Sequence, residues 1–250
     1  MFVVISGEGI SDLGACSNQQ GRCHGELFVA GPMTCVLDTI IESSMGYSVL
    51  DVHGYEYLSE SHLEECEQRR RGNRRGLFLP GRKSGQETGY FYINAWILAQ
   101  ETLALEAQRQ DRAIAVLFRD TDGTRSTRNG LWQAKWNSML HGFARGGLED
   151  RGVPMLPKPK SEAWLLCAFK NPAYRDCAAL EEISGNDSGA NPAKDRLDAA
   201  TEGATRDDLV HQLRARPFDH VATSEQMPSF ECFRERLLMA LEALRRLPAL

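Results

Sequence analysis

The stretch that decides the fold is the first one, MFVVISGEGISD at residues 1–12. Phe2 to Ser6 is a short apolar, β-branched run closed by Gly7, the pattern of a strand buried on both faces. Glu8 and Asp12 follow it at once, so two carboxylates stand just beyond the carboxyl end of that strand. Further along, Pro32 opens a helix in which Met33, Val36, Leu37, Ile40 and Ile41 recur at helical spacing, and Gly46 stops it. Tyr47 to Val52 reads as a second strand, and 60–70 as a polar helix running into an arginine cluster. Residues 72–90 read as a loop rich in Gly and basic side chains. A long helix from Tyr92 to Gln108 leads into the strand Ala113 to Phe118. Trp132, Trp136, Met139, Leu140 and Phe143 mark the next amphipathic helix, with the Trp pair as packing. Val153 to Leu156 is a fourth strand, and Ser161 can cap a helix through Phe169. Strand and helix thus alternate, which predicts an α/β domain with a mostly parallel four-stranded sheet and flanking helices. Residues 1–170 would form this core. Residues 171–250 would form a helical appendage packing on it, with an exposed loop about 184–206 and a last helix over 229–246.

Composition bounds the function. The chain has 250 residues, 42% of them hydrophobic and 25% charged, which excludes a mostly disordered chain. A net charge of −5 excludes a uniformly basic nucleic-acid coat but leaves room for a local basic patch. The seven cysteines, at 16, 23, 35, 66, 167, 177 and 232, lack a disulfide-scaffold rhythm and read as reduced thiols. The first residues carry no basic leader and meet Glu8 early, and no apolar run approaches the roughly 18 residues that span a bilayer. A soluble, cytoplasmic protein with no membrane partner is expected.

In open parallel sheets, ligands bind at the carboxyl ends of the strands. Glu8 and Asp12 follow the first strand, Asp120 and Asp122 the third, and Glu162 lies just beyond the fourth. Parallel strands would bring all five to one edge. Like charges about 4 Å apart repel by roughly 4 kcal/mol at an effective dielectric near 20, and a divalent cation would relieve this. Oxygen-only ligands suit one or two Mg²⁺ or Mn²⁺ ions, the usual apparatus of phosphoryl transfer.

These residues resemble a known family. ISGEGISD at 5–12 is similar to the first motif of the Toprim (topoisomerase-primase) domain, and AVLFRDTDG at 115–123 is similar to its second, an Asp-x-Asp after an apolar strand. PKPKSEAWLL at 157–166 resembles the matching region of OLD-type nucleases and of small stand-alone Toprim-like proteins from bacteria and phages. The resemblance spans about residues 1–170 and implies a Toprim/Rossmann-like fold with Mg²⁺-dependent phosphodiester chemistry. It implies that Glu8, Asp120 and Asp122 hold metal, that Asp12 and Glu162 complete a second site, and that Lys158 or Lys160 stabilises the pentacoordinate phosphorus. Two departures stand out. Residues 14–31 interpose a Cys- and Gly-containing stretch, and the ATPase domain of OLD-type nucleases has no counterpart. The nearest lookalike of its phosphate loop, GRKSGQET at 81–88, has Gln where the Lys must be. Any ATPase would be a separate partner chain. A nuclease hydrolysing nucleic acid, with DNA the expected polymer, is the leading expectation, gated by a partner or by homo-oligomerisation in phage defence or DNA processing.

Other features have two readings. Arg69, Arg70, Arg71, Arg74, Arg75, Arg82 and Lys83 form either a solvated face or a loop that tracks nucleic-acid phosphates. Phe78, Tyr90, Phe91 and Tyr92 nearby are core residues or base-stacking platforms. Arg119, Arg125 and Arg128 flank the Asp-x-Asp turn, where they can neutralise the acids or contact phosphate. Cys16, Cys23 and His24 are too widely spaced for an ordinary zinc knuckle. His53, placed after the second strand, would point to the acidic edge. DTDGT at 120–124 also matches haloacid-dehalogenase-type phosphatases, with Asp120 as nucleophile and Asp122 as acid/base. That motif normally opens its domain, whereas here a strand with its own acidic turn precedes it, and Asp207-Asp208 sits in a polar stretch. A non-catalytic module binding nucleic acid or a partner is the third alternative.

Overall fold

The structure, a computed structural model, describes residues 1–72, 88–121, 130–186 and 192–248, and for 71–72 the backbone only. Its strands are β1 (Phe2–Gly7), β2 (Gly14–Cys16), β3 (Arg22–His24), β4 (Phe28–Ala30), β5 (Tyr55–Ser59), β6 (Ala113–Phe118) and β7 (Gly152–Met155). The helices among the described residues are α1 (Pro32–Met45), α2 (Glu60–Gly72), α3 (Gly89–Arg109), α4 (Leu131–Gly146), α5 (Ser161–Phe169), α6 (Ala193–Ala200), α7 (Arg206–Ala215), α8 (His220–Ser224) and α9 (Pro228–Arg246).

The main sheet has five strands in the order β3-β5-β1-β6-β7. β5, β1, β6 and β7 are parallel, and β3 adds an antiparallel edge that the four-stranded expectation lacked. Alternation along β1 divides the interior. Val3 and Ile5 join a cluster with α1, α5 and α9, while Phe2 and Val4 join one with α2, α3 and α4. Each fully buried aliphatic side chain contributes roughly 1.5–3 kcal/mol, which is why β1 and β6 are apolar at nearly every position. From β1 the chain steps outward to β5 through α1 on one face. It then returns past β1 to β6 through α2 and α3 on the other face, as crossovers of one hand require. Strand order therefore reverses between β1 and β6. Phe233, Leu237 and Leu241 of α9 lie in the same buried cluster as Val3 and Ile5, so the C-terminal helix covers the sheet itself.

Several expectations need correction. The second strand is Tyr55–Ser59 rather than 47–52. The buried Asp38 carboxylate accepts from Ser48 Oγ at 2.6 Å and from the N–H groups of Val49 and Leu50, at 3.0 and 3.1 Å, which holds that stretch as a turn. The true strand hides Glu56, wholly buried between the guanidinium groups of Arg22 and Arg109. His53 consequently precedes β5 and sits at the opposite end of the sheet, where Gly54 O accepts from Val3 N at 2.9 Å. The excursion at 184–206 contains α6, whose Ala193 and Leu197 are buried. The cysteines are not all thiols, because Cys16 pairs with Cys23 and Cys167 with Cys177 in disulfides. The first pair removes the Cys16, Cys23 and His24 ligand set. No helix among the described residues is long and apolar enough to cross a membrane.

Candidate functional site

The site lies at the carboxyl edge of the sheet, where β1 and β6 end side by side. Gly7 closes β1 so near β6 that a Cβ there would stand 2.2 Å from Phe118 O, and this contact sets the spacing of the two following turns. Glu8 is the next residue after β1. Its Oε1 accepts from the Asp120 N–H at 3.1 Å, and its Oε2 accepts from Arg119 Nη2 at 2.8 Å. The first carboxylate is thereby tied to the turn that carries the second.

Asp12 is placed by a tight turn in which Gly9 O accepts from Asp12 N at 3.0 Å. Gly9 has φ of 87°, a conformation costly for residues with a Cβ, and a Cβ here would lie 2.6 Å from Asp12 Oδ2. Ser161 at the start of α5 then bridges two acids. Its N–H donates to Asp120 Oδ1 at 3.0 Å and its hydroxyl to Asp12 Oδ1 at 2.5 Å. Ser161 was expected to cap its own helix, but Lys160 occupies the N-cap position and the serine serves the acids instead. Glu162 is in the first turn of α5, with Oε2 3.4 Å from the Ser161 hydroxyl. Burial pushes the Asp12 carboxyl above its ordinary range, while the hydroxyls of Ser161 and Ser11 and the charges of Lys160 and Lys194 oppose this.

Basic side chains brace the edge. Arg119, nearly buried, donates through Nη1 to Glu60 Oε1 at 2.5 Å as well as to Glu8, and its guanidinium lies 5.2 Å from the Phe91 ring. Lys135, also buried, donates to Thr121 O at 2.7 Å and sits 5.0 Å from the same ring. Thr121 is further pinned to the Pro157 and Pro159 carbonyls. Glu60, Lys135 and the bridging role of Ser161 escaped the sequence reading. No local pattern signals them, since each acts across a long sequence separation.

Of the residues named from sequence, Glu8, Asp12, Asp120 and Glu162 come together here through the contacts above. Lys160 faces Asp12, whereas Lys158 pairs with Glu182 at 3.1 Å. Arg69 donates to Cys66 Sγ at 3.0 Å and Arg70 to Glu101 Oε1 at 2.8 Å. Asp122, Arg125 and Arg128, like Arg74, Arg75, Phe78, Arg82 and Lys83, lie outside the described residues, as does the side chain of Arg71.

Comparison with protein-family models, curated proteins and solved structures finds no match to this chain. The class that fold and geometry define is an α/β protein with a mostly parallel sheet and a carboxylate-lined strand edge.

Proposed function

We propose that this chain is a divalent-metal-dependent nuclease of the Toprim type. The observation that carries the reading is the joining of three carboxylates at the β1/β6 reversal, with Glu8 bonded to the Asp120 backbone and Ser161 bridging Asp120 and Asp12. Crevices at such reversals are where open α/β sheets bind ligands. The donor chemistry suits Mg²⁺ or Mn²⁺, because every donor is a carboxylate oxygen, but no three of the described carboxylates bring oxygens within 4.8 Å of one another, so holding the ion needs side-chain rotation at this edge. Glu8, Asp12 and Asp120 would hold the ion, with Glu162 and Asp122 as further ligands. When bound, the ion supplies Lewis-acid polarisation of the phosphodiester and of the attacking water.

The protein's own groups do the rest. Arg119 offsets the charge of Glu8 and keeps its carboxylate aimed along the edge. Lys135 and the two prolyl carbonyls make the 119–121 turn rigid, so Asp120 meets a substrate without rearrangement. Lys160, on the Asp12 side, is placed to stabilise negative charge added at phosphorus. Lys158, engaged with Glu182, is the weaker candidate for that role. The basic run from Arg69 onward would track backbone phosphates, giving strongly salt-dependent affinity for DNA.

The test is cleavage of plasmid and linear DNA, and of RNA, by the purified chain with Mg²⁺ or Mn²⁺ and with chelator. Asp120→Asn and Glu8→Gln should lose more than the roughly 10–100-fold typical of residues that only orient a ligand, while circular dichroism stays native. Intact nucleic acid under all metal conditions, or full activity in Asp120→Asn, would overturn the reading. Hydrolysis of a small phosphomonoester with DNA untouched would transfer the same residues to the phosphatase alternative.

A further inference from the structure

A second cluster of ligating side chains lies away from the carboxylate edge, between α2 and α3. His62 and Cys66 stand one helical turn apart on α2, and Glu101 faces them from α3. One ligand atom from each lies within 4.8 Å of the other two. We infer that His62, Cys66 and Glu101 form a binding site for a borderline-soft transition-metal ion, Zn²⁺ above all, that clamps α2 to α3.

The donor chemistry selects the ion. Thiolate, imidazole and carboxylate together suit Zn²⁺ or Co²⁺ and not Mg²⁺, which prefers oxygen alone. Zinc bond lengths of about 2.3 Å to sulfur and about 2.0–2.2 Å to nitrogen or oxygen put tetrahedral ligands roughly 3.5 Å apart. The cluster therefore needs to contract by at most about 1.3 Å, within the reach of side-chain rotation. Exposure is graded in the useful direction: Cys66 is buried, while His62 and Glu101 are half-buried and open a path for entry. Cys66 is also a free thiol and not part of either disulfide.

The sulfur is not simply core filler. Arg69 donates to Cys66 Sγ at 3.0 Å and Arg70 to Glu101 Oε1 at 2.8 Å, so the thiol and the carboxylate each already have a guanidinium beside them. An ion would take over from Arg69 at the sulfur, and Glu101 keeps its second oxygen for the metal. On binding, the Cys66 thiol loses its proton to solvent as the sulfur–metal bond forms, with no change of oxidation state. Two arginines compete with the ion, so removing one should strengthen binding.

The test uses the full chain stripped with chelator and titrated with Co²⁺ as a spectroscopic probe, then with Zn²⁺. One equivalent of Co²⁺ should produce a thiolate-to-cobalt charge-transfer band that Zn²⁺ abolishes. Cys66→Ser should remove the band, and His62→Ala and Glu101→Gln should each weaken affinity at least tenfold. Arg69→Ala should tighten it. Glu101→Gln, at a half-buried position, guards against misfolding as the cause, with circular dichroism as control. A missing band in the wild-type chain, or one that survives Cys66→Ser, would overturn the inference. Mg²⁺ is silent in this readout, so the outcome is independent of the nuclease proposal.

Discussion

Arg119 offers the most direct test of how the acidic edge is held. Its guanidinium pairs with Glu8 at 2.8 Å and with Glu60 at 2.5 Å, and its own side chain is only 12% exposed. Two unit charges about 4 Å apart interact by roughly 4 kcal/mol at an effective dielectric near 20. Both carboxylates are 32% exposed, so solvent screens much of this. Removing one partner of a fully buried pair costs about 3–5 kcal/mol, and the exposure here reduces that to about 1–3 kcal/mol. Arg119→Met keeps the aliphatic stem against Phe91 and removes only the charge. In chelator, its melting temperature should fall by roughly 2–12 °C, given about 2–4 °C per kcal/mol for a chain of this size. Millimolar Mn²⁺ should recover part of the loss, because an ion at Glu8 replaces the missing cation. Adding Glu8→Gln should also rescue, with a coupling of at least about 1 kcal/mol between the two substitutions. A variant within about 0.5 kcal/mol of wild type in chelator, or strict additivity with Glu8→Gln, would refute the account of Arg119 as the internal counter-ion.

Three further outcomes follow from the contacts. Ser161→Ala removes the hydroxyl bond to Asp12 but keeps the N–H bond to Asp120, so Mn²⁺ affinity measured by calorimetry should fall roughly 10–100-fold with the fold intact; unchanged affinity would separate Asp12 from the metal. His220 Nδ1 accepts from Arg234 Nε at 2.9 Å, and burial first, then the Arg234 charge, lowers its pKa. The unfolded chain then binds the proton more readily, so stability is full above the ordinary histidine range and declines as pH falls from about 7 toward 5.5; His220→Gln should flatten this slope, and an equal slope in both proteins would contradict it. Thiol titration of denatured, unreduced protein should find Cys35, Cys66 and Cys232 alone, with all seven cysteines reacting after reduction. Reduction of either disulfide should cost about 2–3 kcal/mol for such short loops, and seven thiols without reductant would return the reduced-cysteine reading.

The strands legible from sequence are those whose burial is symmetrical. FVVIS and AIAVLF are apolar on both faces because helices cover both, and no distant residue is needed to explain them. The strand YEYLS was hidden by Glu56, whose burial makes sense only once Arg22 from β3 and Arg109 from α3 are known to converge on it. Conversely, Tyr47 to Val52 has strand-like residues, but Asp38, a turn of α1 away from any local signal, captures its backbone N–H groups. The same division applies to the site. Glu8 and Asp120 were visible because each stands within two residues of a strand end, and Asp12 because it closes the short turn that follows β1. Glu60, Lys135 and the double duty of Ser161 depend on which elements become neighbours, and that information is not local.

The fold also shows how this chain treats carboxylates that it buries for structure. Glu56 takes two arginines, Glu106 takes Arg151 and the Ala113 N–H, and Asp38 takes the hydroxyls of Ser48 and Tyr55 with two backbone N–H groups. Each is an acid whose charge is met by full ion pairing or by four donors. Glu181, which accepts from the N–H and hydroxyl of Ser229, and Asp12, which accepts from the hydroxyls of Ser11 and Ser161, are treated differently, and no ion pair to Asp12 occurs among the described residues. Lys160 and Lys194 act on it only through their field. Burial holds the Glu181 and Asp12 carboxyls above the usual range with neutral donors alone, and of the two it is Asp12 that stands at the strand edge with Glu8 and Asp120. A net charge of −5 leaves room for both an acidic strand edge and local basic stretches on one chain.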